Sequence, residues 1–429
     1  MSVSGGAERR VAGRVDSNRL WSTLTELGAM GRNPAAGPGV WRPGWSRSYF
    51  AAQHWLIALM RDAGLEVWID AIGNTWGRWP VGDPPALVVG SHIDAVPGGG
   101  VFDGTLGVLG AVEAIKTLRS RGFIPRREIR VVAWIEEEGQ ATGIALLGSK
   151  AYAGVLADGD LAVLAGVTAK HPSPGSHLHD FSDEMNAQLV MERLAAASMR
   201  SDEVGEYIEL HIEQGPVLWE SNTPVGVVTG INAVEAGSLE IIGVANHAGG
   251  TPMNRRRDAL VAAAEVILSV RDVATAVGVR ATCGVVEVNA GASNIVPGKV
   301  SLAMDVRGEN ETALSAFWYD LRAAIEGIRS RNDISAKYSR SYWLAPATTD
   351  RRLQDHIREA AATLKLRSMS LSSGAGHDAM ALAAAGVPIG MVFIPSVEGI
   401  SHSPDELSRT PDCANGAAML ATLIQRLAS

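Results

Sequence analysis

The chain has 429 residues, more than one hydrophobic core accommodates, so two domains of unequal size are expected and a lone small module is excluded. With 46% hydrophobic and 20% charged residues it has the composition of a compact globular protein rather than a disordered one. A net charge of -8 with no basic block argues against nucleic acid and anionic membranes as partners, and two scattered cysteines, Cys283 and Cys413, exclude a disulfide framework and fit a reducing cytoplasm.

The stretch before Leu20 is positively charged but has no apolar run behind it, and no segment is long enough to cross a bilayer, so the chain is read as unexported and not membrane-bound. Asn33 to Trp45, rich in Gly and Pro, reads as a loop. Ser48 to Ala63 has helical spacing and stops at Gly64, and the alternating run Leu65 to Trp79 carries the turn pair Gly73-Asn74 of a hairpin. ALVVGSH from Ala86 and EIRVVAW from Glu128 predict buried parallel strands whose carboxyl ends deliver ionisable side chains, with a helix from Gly104 to Arg121 between them. The pattern changes from about Val225: strand 238–245, helix Asp258 to Val277, strands 279–288 and 299–308, helix Glu311 to Arg331 and strand 334–341 follow in βαββαβ order. After Thr348 helices alternate with buried strands again. The expected fold is α/β: a large catalytic domain, 1–221 and 346–429, with a mixed, mainly parallel sheet flanked by helices, and an inserted ferredoxin-like domain over 222–345.

Chemistry-bearing residues gather in five segments. GSHIDAVPGGGVFDG places His92, Asp94 and Asp103 after a buried strand, where glycines let the backbone fold back so that His92 and Asp103 can share an ion such as zinc, manganese or cobalt, and Asp94 can hold the second imidazole nitrogen. WIEEEG stacks Glu136, Glu137 and Glu138, whose mutual repulsion calls for a cation. ELHIEQGP offers His211 and Gln214, NHAGGTPM offers His247, and SSGAGHDAM with GISHSPDE offers Gly376, His377 and His402. His177 and His179 lie in a Pro/Ser/Gly-rich stretch without a carboxylate partner and, with His54, His171 and His356, are read as surface groups.

This ordered string of motifs, over essentially the whole chain from about Trp21, resembles the dinuclear metallopeptidase family of aminoacylases and carboxypeptidase G, in its branch of allantoate amidohydrolases, N-carbamoyl-L-amino acid hydrolases and β-ureidopropionases. The resemblance implies two divalent ions per subunit, manganese or zinc with cobalt or nickel as alternatives. His92 and His211 would hold one, Glu138 and His402 the other, and Asp103 would bridge them. It makes Glu137 the general base and Asp94 the residue that orients His92. His247, Asn294 and Arg307 match substrate-binding positions on a lid domain that also dimerises, and Gln214, Gly376 and His377 are further candidate substrate contacts. The expected partner is a small carboxylate-bearing substrate, and the expected assembly a homodimer or higher homo-oligomer.

The chain also departs from that branch. EEEGQATG puts Ala141 and Thr142 where an arginine and an aromatic residue are common, and Ala233, Val234 and Glu235 replace a Gly-Gln-Arg group. Exchanging polar partners for Ala and Val leaves a ureido group short of contacts, so aromatic amino-acid derivatives are expected to be better substrates than allantoate. Three functions are weighed: a hydrolase of N-carbamoyl or N-acyl amino acids; a hydrolytic deaminase of an activated aromatic amine, as in the family's outlier that acts on 5-nitroanthranilate; and a binding protein that keeps the fold without catalysis.

Overall fold

The computed structural model describes residues 15–33, 35, 37–160, 203–289 and 292–429. The chain forms two compact units: residues 1–229, 348–371 and 377–429, and residues 230–347 with 372–376.

A nine-stranded sheet organises the larger unit. Strands Arg127–Trp134, Asp83–His92, Val204–Ile212 and Ile389–Ile394 lie side by side and parallel. Val225–Ile231 pairs antiparallel with Ile389–Ile394 on one side, so the chain stays in this sheet past Val225, where the sequence pattern changes. On the other side Thr75–Trp79 and Glu66–Ile69 form the expected hairpin. Asp70 closes its turn, accepting from the backbone N–H groups of Ile72, Gly73 and Asn74 and from the Trp76 indole.

Helix Thr105–Ser120 is buried along nearly its whole length, and Arg47–Asp62, Arg351–Thr363 and Thr410–Leu427 pack into the same core. The parallel strands are largely buried and apolar, with Glu206 and Glu209 among the buried exceptions, and polar side chains stand at or within two residues of each carboxyl end: His92, Glu136, Glu213 and Ser396. Among the described residues no helix is long and apolar enough to cross a membrane.

The Gly/Pro-rich stretch after Asn33 is more than a loop. Val40–Arg42 pairs antiparallel with Ala95–Gly99. Arg42 is fully buried and donates to the carbonyls of Ile93, Leu27 and Met30, and burial brings its guanidinium down to about 10.

The smaller unit has an antiparallel four-stranded sheet in the order Arg280–Asn289, Lys299–Gly308, Ala233–Ile242, Ser335–Leu344. With helices Ala259–Val277 and Glu311–Asn332 this is βαββαβ in chain order. Asp258 and Asn310 cap the two helices, and a core that includes Leu239, Ile241, Val266, Leu302, Phe317 and Leu321 lies between sheet and helices.

Replacing Arg42 with Leu removes three hydrogen bonds: the Ile93 and Met30 carbonyls lose this donor, and the Leu27 carbonyl keeps only the Met30 N–H. We expect urea unfolding to report a loss of roughly 3 kcal/mol; an unchanged midpoint would show that these bonds contribute nothing net.

Candidate metal centre

Register sets the first two histidines. Val89 is opposite Ile208 in adjacent parallel strands, so His92 and His211, each three residues further on, stand at one level at the strand ends with ring centroids 6.0 Å apart. Nδ1 of His92 lies 3.1 Å from the Asp94 carbonyl and Nδ1 of His211 2.9 Å from the Ile212 carbonyl, which leaves both Nε2 atoms toward Asp103. Asp103 Oδ1 is 3.1 Å from His211 Nε2 and 3.6 Å from His92 Nε2, while Oδ2 is 3.2 Å from His402 Nε2. Each oxygen of this one carboxylate therefore faces a different set of imidazoles. Glu138 Oε2 stands 3.7 Å from His402 Nε2, and its Oε1 is buried with no partner.

The intervening loop depends on glycine. Gly104 has a φ of +62°, and a Cβ there would meet His92 Nε2 at 2.3 Å. Its N–H points at His211 Nε2 at 3.2 Å, a contact that suits a neutral imidazole with its lone pair on that atom. His92 with Asp103 and His211, and Asp103 with Glu138 and His402, each bring one ligand atom per residue to within 4.8 Å of the others. Imidazole nitrogens and carboxylate oxygens in this number, with an unpartnered buried oxygen among them, fit divalent cations of the zinc or manganese kind.

The acidic triplet divides its work. Glu136, at a φ of +60°, turns away and accepts from the N–H groups of Gly44, Ala141 and Thr142 and from the Thr142 hydroxyl. Burial, then Asp94, pushes its carboxyl up to about 8. Glu137 Oε2 is 3.7 Å from His92 Nε2, and burial holds this carboxyl well above the usual range although His92 opposes it. Asp94 Oδ2 accepts the Glu138 N–H at 3.0 Å and so ties the first segment to the triplet.

Two groups at this centre escaped the sequence reading. Glu406 accepts the N–H groups of Phe102 and Asp103 and, at its other oxygen, the Ser401 hydroxyl, which fixes the backbone that carries Asp103. The GISHSPDE motif contains both, but only the fold puts Glu406 beside a segment about three hundred residues earlier.

Other candidates sit as follows. Gln214 donates to Asp103 Oδ2 at 2.8 Å. His377 is buried with its ring 4.5 Å from that of His211, and together with Glu209 the two form a further ligand-like trio. Ala141 packs into the large core, so its methyl group does not mark an apolar pocket wall. His54 is exposed, His356 is 3.6 Å from Glu359, and His171, His177 and His179 lie outside the described residues.

In the smaller unit, His247 and Asn294 flank a short antiparallel strand pair: Ala248 N–H donates to the Asn294 carbonyl, and His247 is opposite Ile295. His247 Nδ1 accepts from Gly249 and Gly250 N–H, both at 3.0 Å, so a neutral ring carries its proton on Nε2 and presents a donor there. Arg307 gives Nε and Nη2 to Asp305, and Nη1 to the Gly374 carbonyl, next but one to Gly376. Val234 stands directly across from Arg307, whereas Glu235 points to the helix side and accepts the Tyr338 hydroxyl at 3.1 Å.

Residues 88–426 match the family model described as peptidase family M20/M25/M40. The chain is 36% identical over 417 residues to the N-carbamoyl-L-amino acid amidohydrolase of Geobacillus stearothermophilus, covering 96% of this chain and 99% of that one. It is 32% identical over 398 residues to the allantoate amidohydrolase of Bacillus subtilis (strain 168), covering 92% and 94%. A crystal structure of a hydantoinase/carbamoylase-family amidase from Burkholderia multivorans superposes with a TM-score of 0.84 at 31% identity, over 97% of this chain and 98% of that one.

The ionisation of the centre yields a test. Burial, then Asp103, raises Glu138 from 4.5 to about 8, and the hydrogen bond to Asp103 raises His402 from 6.5 to about 9. Both folded values exceed the unfolded ones, so the metal-free fold holds extra protons and loses stability as pH rises, between 4.5 and 8 for Glu138 and between 6.5 and 9 for His402. A bound cation needs these groups deprotonated. Chelator-treated protein should therefore melt at a lower temperature at pH 9 than at pH 6, and added zinc should raise Tm more at pH 9; equal gains at both would contradict this reading.

Proposed function

The chain belongs to peptidase family M20/M25/M40 and is an amidohydrolase of C–N bonds other than peptide bonds, and we propose that its substrate is a small carboxylate-bearing N-carbamoyl or N-acyl amino acid. The observation that carries this reading is Asp103, whose two oxygens face two separate sets of ligand-type side chains. His92 and His211 with Asp103 would hold one divalent ion, Glu138 and His402 with Asp103 the other. Such a pair, manganese or zinc with cobalt or nickel as alternatives, supplies Lewis acidity and brings the pKa of a water molecule toward neutrality.

The side chains do the rest. Glu137 is buried beside His92 and stands within ligand distance of His92 and Glu138; in this reading it is kept out of both ligand sets, and its carboxylate takes a proton from the attacking water and later gives it to the departing nitrogen. The Asp94 carbonyl keeps the His92 ring oriented through its hydrogen bond at Nδ1, with the Asp94 carboxylate 3.6 Å from the same nitrogen. His247 Nε2–H is a donor for the oxygen that gains charge as the carbonyl carbon becomes tetrahedral. Arg307 and Asn294 recognise the carboxylate, and the apolar Val234 across the strand from Arg307 favours an aromatic side chain over an aliphatic ureido acid.

We place the enzyme in the cytoplasm, in keeping with its two free thiols, and assign it a homodimer through the smaller unit. There helix Ala259–Val277 packs against the edge strand Arg280–Asn289, and Leu260, Val261, Leu268, Val286 and Val288 are exposed. Apolar side chains along an unpaired sheet edge suit a second copy of the same surface.

Glu137→Gln removes a proton carrier but no ligand. It should retain two divalent ions per chain by elemental analysis and lose roughly 10³-fold in kcat on N-carbamoyl-L-phenylalanine; near-normal turnover, or full activity after complete metal removal, would contradict the assignment. Leu268→Glu with Val286→Glu should turn a dimer into a monomer in light scattering, and an unchanged mass would move the interface elsewhere.

A further inference from the structure

On the sheet of the smaller unit Arg280 is paired directly across from Arg307, so two guanidinium side chains leave the same face from adjacent strands. Both converge on one glycine. Arg307 Nη1 donates to the Gly374 carbonyl at 3.1 Å, and Arg280 Nη1 lies so close to the Gly374 Cα that an added Cβ would stand 1.9 Å from it.

Like charges directly opposite on a sheet repel, and such a pair persists where an anion lies between them or where function requires it. The anion present neutralises only one of the two. Asp305 is bound by Nε and Nη2 of Arg307, and among the described residues no hydrogen bond or ion pair reaches the Arg280 side chain. Glu309 is the other carboxylate at this segment; it accepts the Ser372 hydroxyl at 2.9 Å and forms no ion pair with Arg280. A full positive charge, with five N–H donors in a planar fork, is therefore left beside a guanidinium already oriented by Asp305.

We propose that Arg280 is a second carboxylate-binding residue, which with Arg307 grips the carboxylate of the substrate. The assignment rests on the reading of Arg307 given above and adds a division of labour. Asp305 fixes the Arg307 fork and offsets its charge, and Arg280 supplies the net charge that the substrate carboxylate neutralises. Gly374 is required because a side chain there would separate the two guanidiniums.

The test uses the metal-loaded full chain with N-carbamoyl-L-phenylalanine and its carboxamide. Arg280→Ala should raise KM for the carboxylate about tenfold, the order expected for a lost charge-assisted hydrogen bond, with kcat within twofold. Arg280→Lys should recover part of this loss, and neither variant should change KM for the carboxamide. Binding of N-carbamoyl-L-phenylalanine to Glu137→Gln protein by calorimetry should weaken equally when Arg280→Ala is added, which separates recognition from turnover. If Arg307→Ala raises KM for the carboxylate and Arg280→Ala does not, the inference about Arg280 is wrong and the proposed function stands. If neither affects it, or wild type neither binds nor hydrolyses the carboxylate, the underlying reading fails. Equal losses on carboxylate and carboxamide would mean that Arg280 acts through folding and would overturn the proposal.

Discussion

A carboxylate buried among other carboxylates is costly unless a positive charge or several hydrogen-bond donors reach it. Asp94, Asp103, Glu136, Glu137, Glu209, Asp378 and Glu406 are all buried in one region, with His92, His211 and His377 among them. Much of the local structure meets that constraint. Glu136 is fed by three backbone N–H groups and a hydroxyl, Glu406 by two N–H groups and Ser401, and Glu209 by Ser91 and the Ala379 N–H. Glu138 Oε1, Asp94 Oδ1 and Asp378 Oδ2 accept no hydrogen bond, although Asp94 Oδ1 lies 3.6 Å from His92 Nδ1. The protein compensates the carboxylates that hold its backbone in place and leaves Glu138, beside His402, with one oxygen short of a donor, where a cation would serve.

The fold makes this concentration of charge available. Four parallel strands end at one edge, so their last residues come together although they are far apart in sequence, and helix packing buries everything behind them. The cost falls on the backbone: Glu136, Gln214 and His402 all have positive φ at the centre. Strain of this kind persists only where the surroundings over-determine it, and here hydrogen bonds to side chains and carbonyls do so.

The place of His92, Asp103 and the acidic triplet near strand ends was legible because a short apolar run that turns abruptly polar is the signature of a buried strand opening onto a site, whereas the separate parts given to Glu137 and Glu138 came from the resemblance; the βαββαβ order could be read from periodicity alone. Three features were not. Glu136 looked like an equal member of an acidic triplet, and only its backbone conformation separates it from Glu137 and Glu138. Arg42 looked like part of a surface loop because nothing local reveals that three distant carbonyls wait for it. Ala141 looked like a missing polar contact, yet its N–H serves Glu136 and its methyl group fills the core. In each case a contact distant in sequence, or a dihedral angle, decides the role.

The account stands or falls on Asp103 as the shared ligand of two cations. The most direct measurement is an anomalous-diffraction map of crystals grown with zinc, recorded at the zinc edge. The account predicts two peaks per chain, one between His92 and His211 and one between Glu138 and His402, each in contact with a different oxygen of Asp103. A single peak, or two peaks of which Asp103 touches only one, would contradict it.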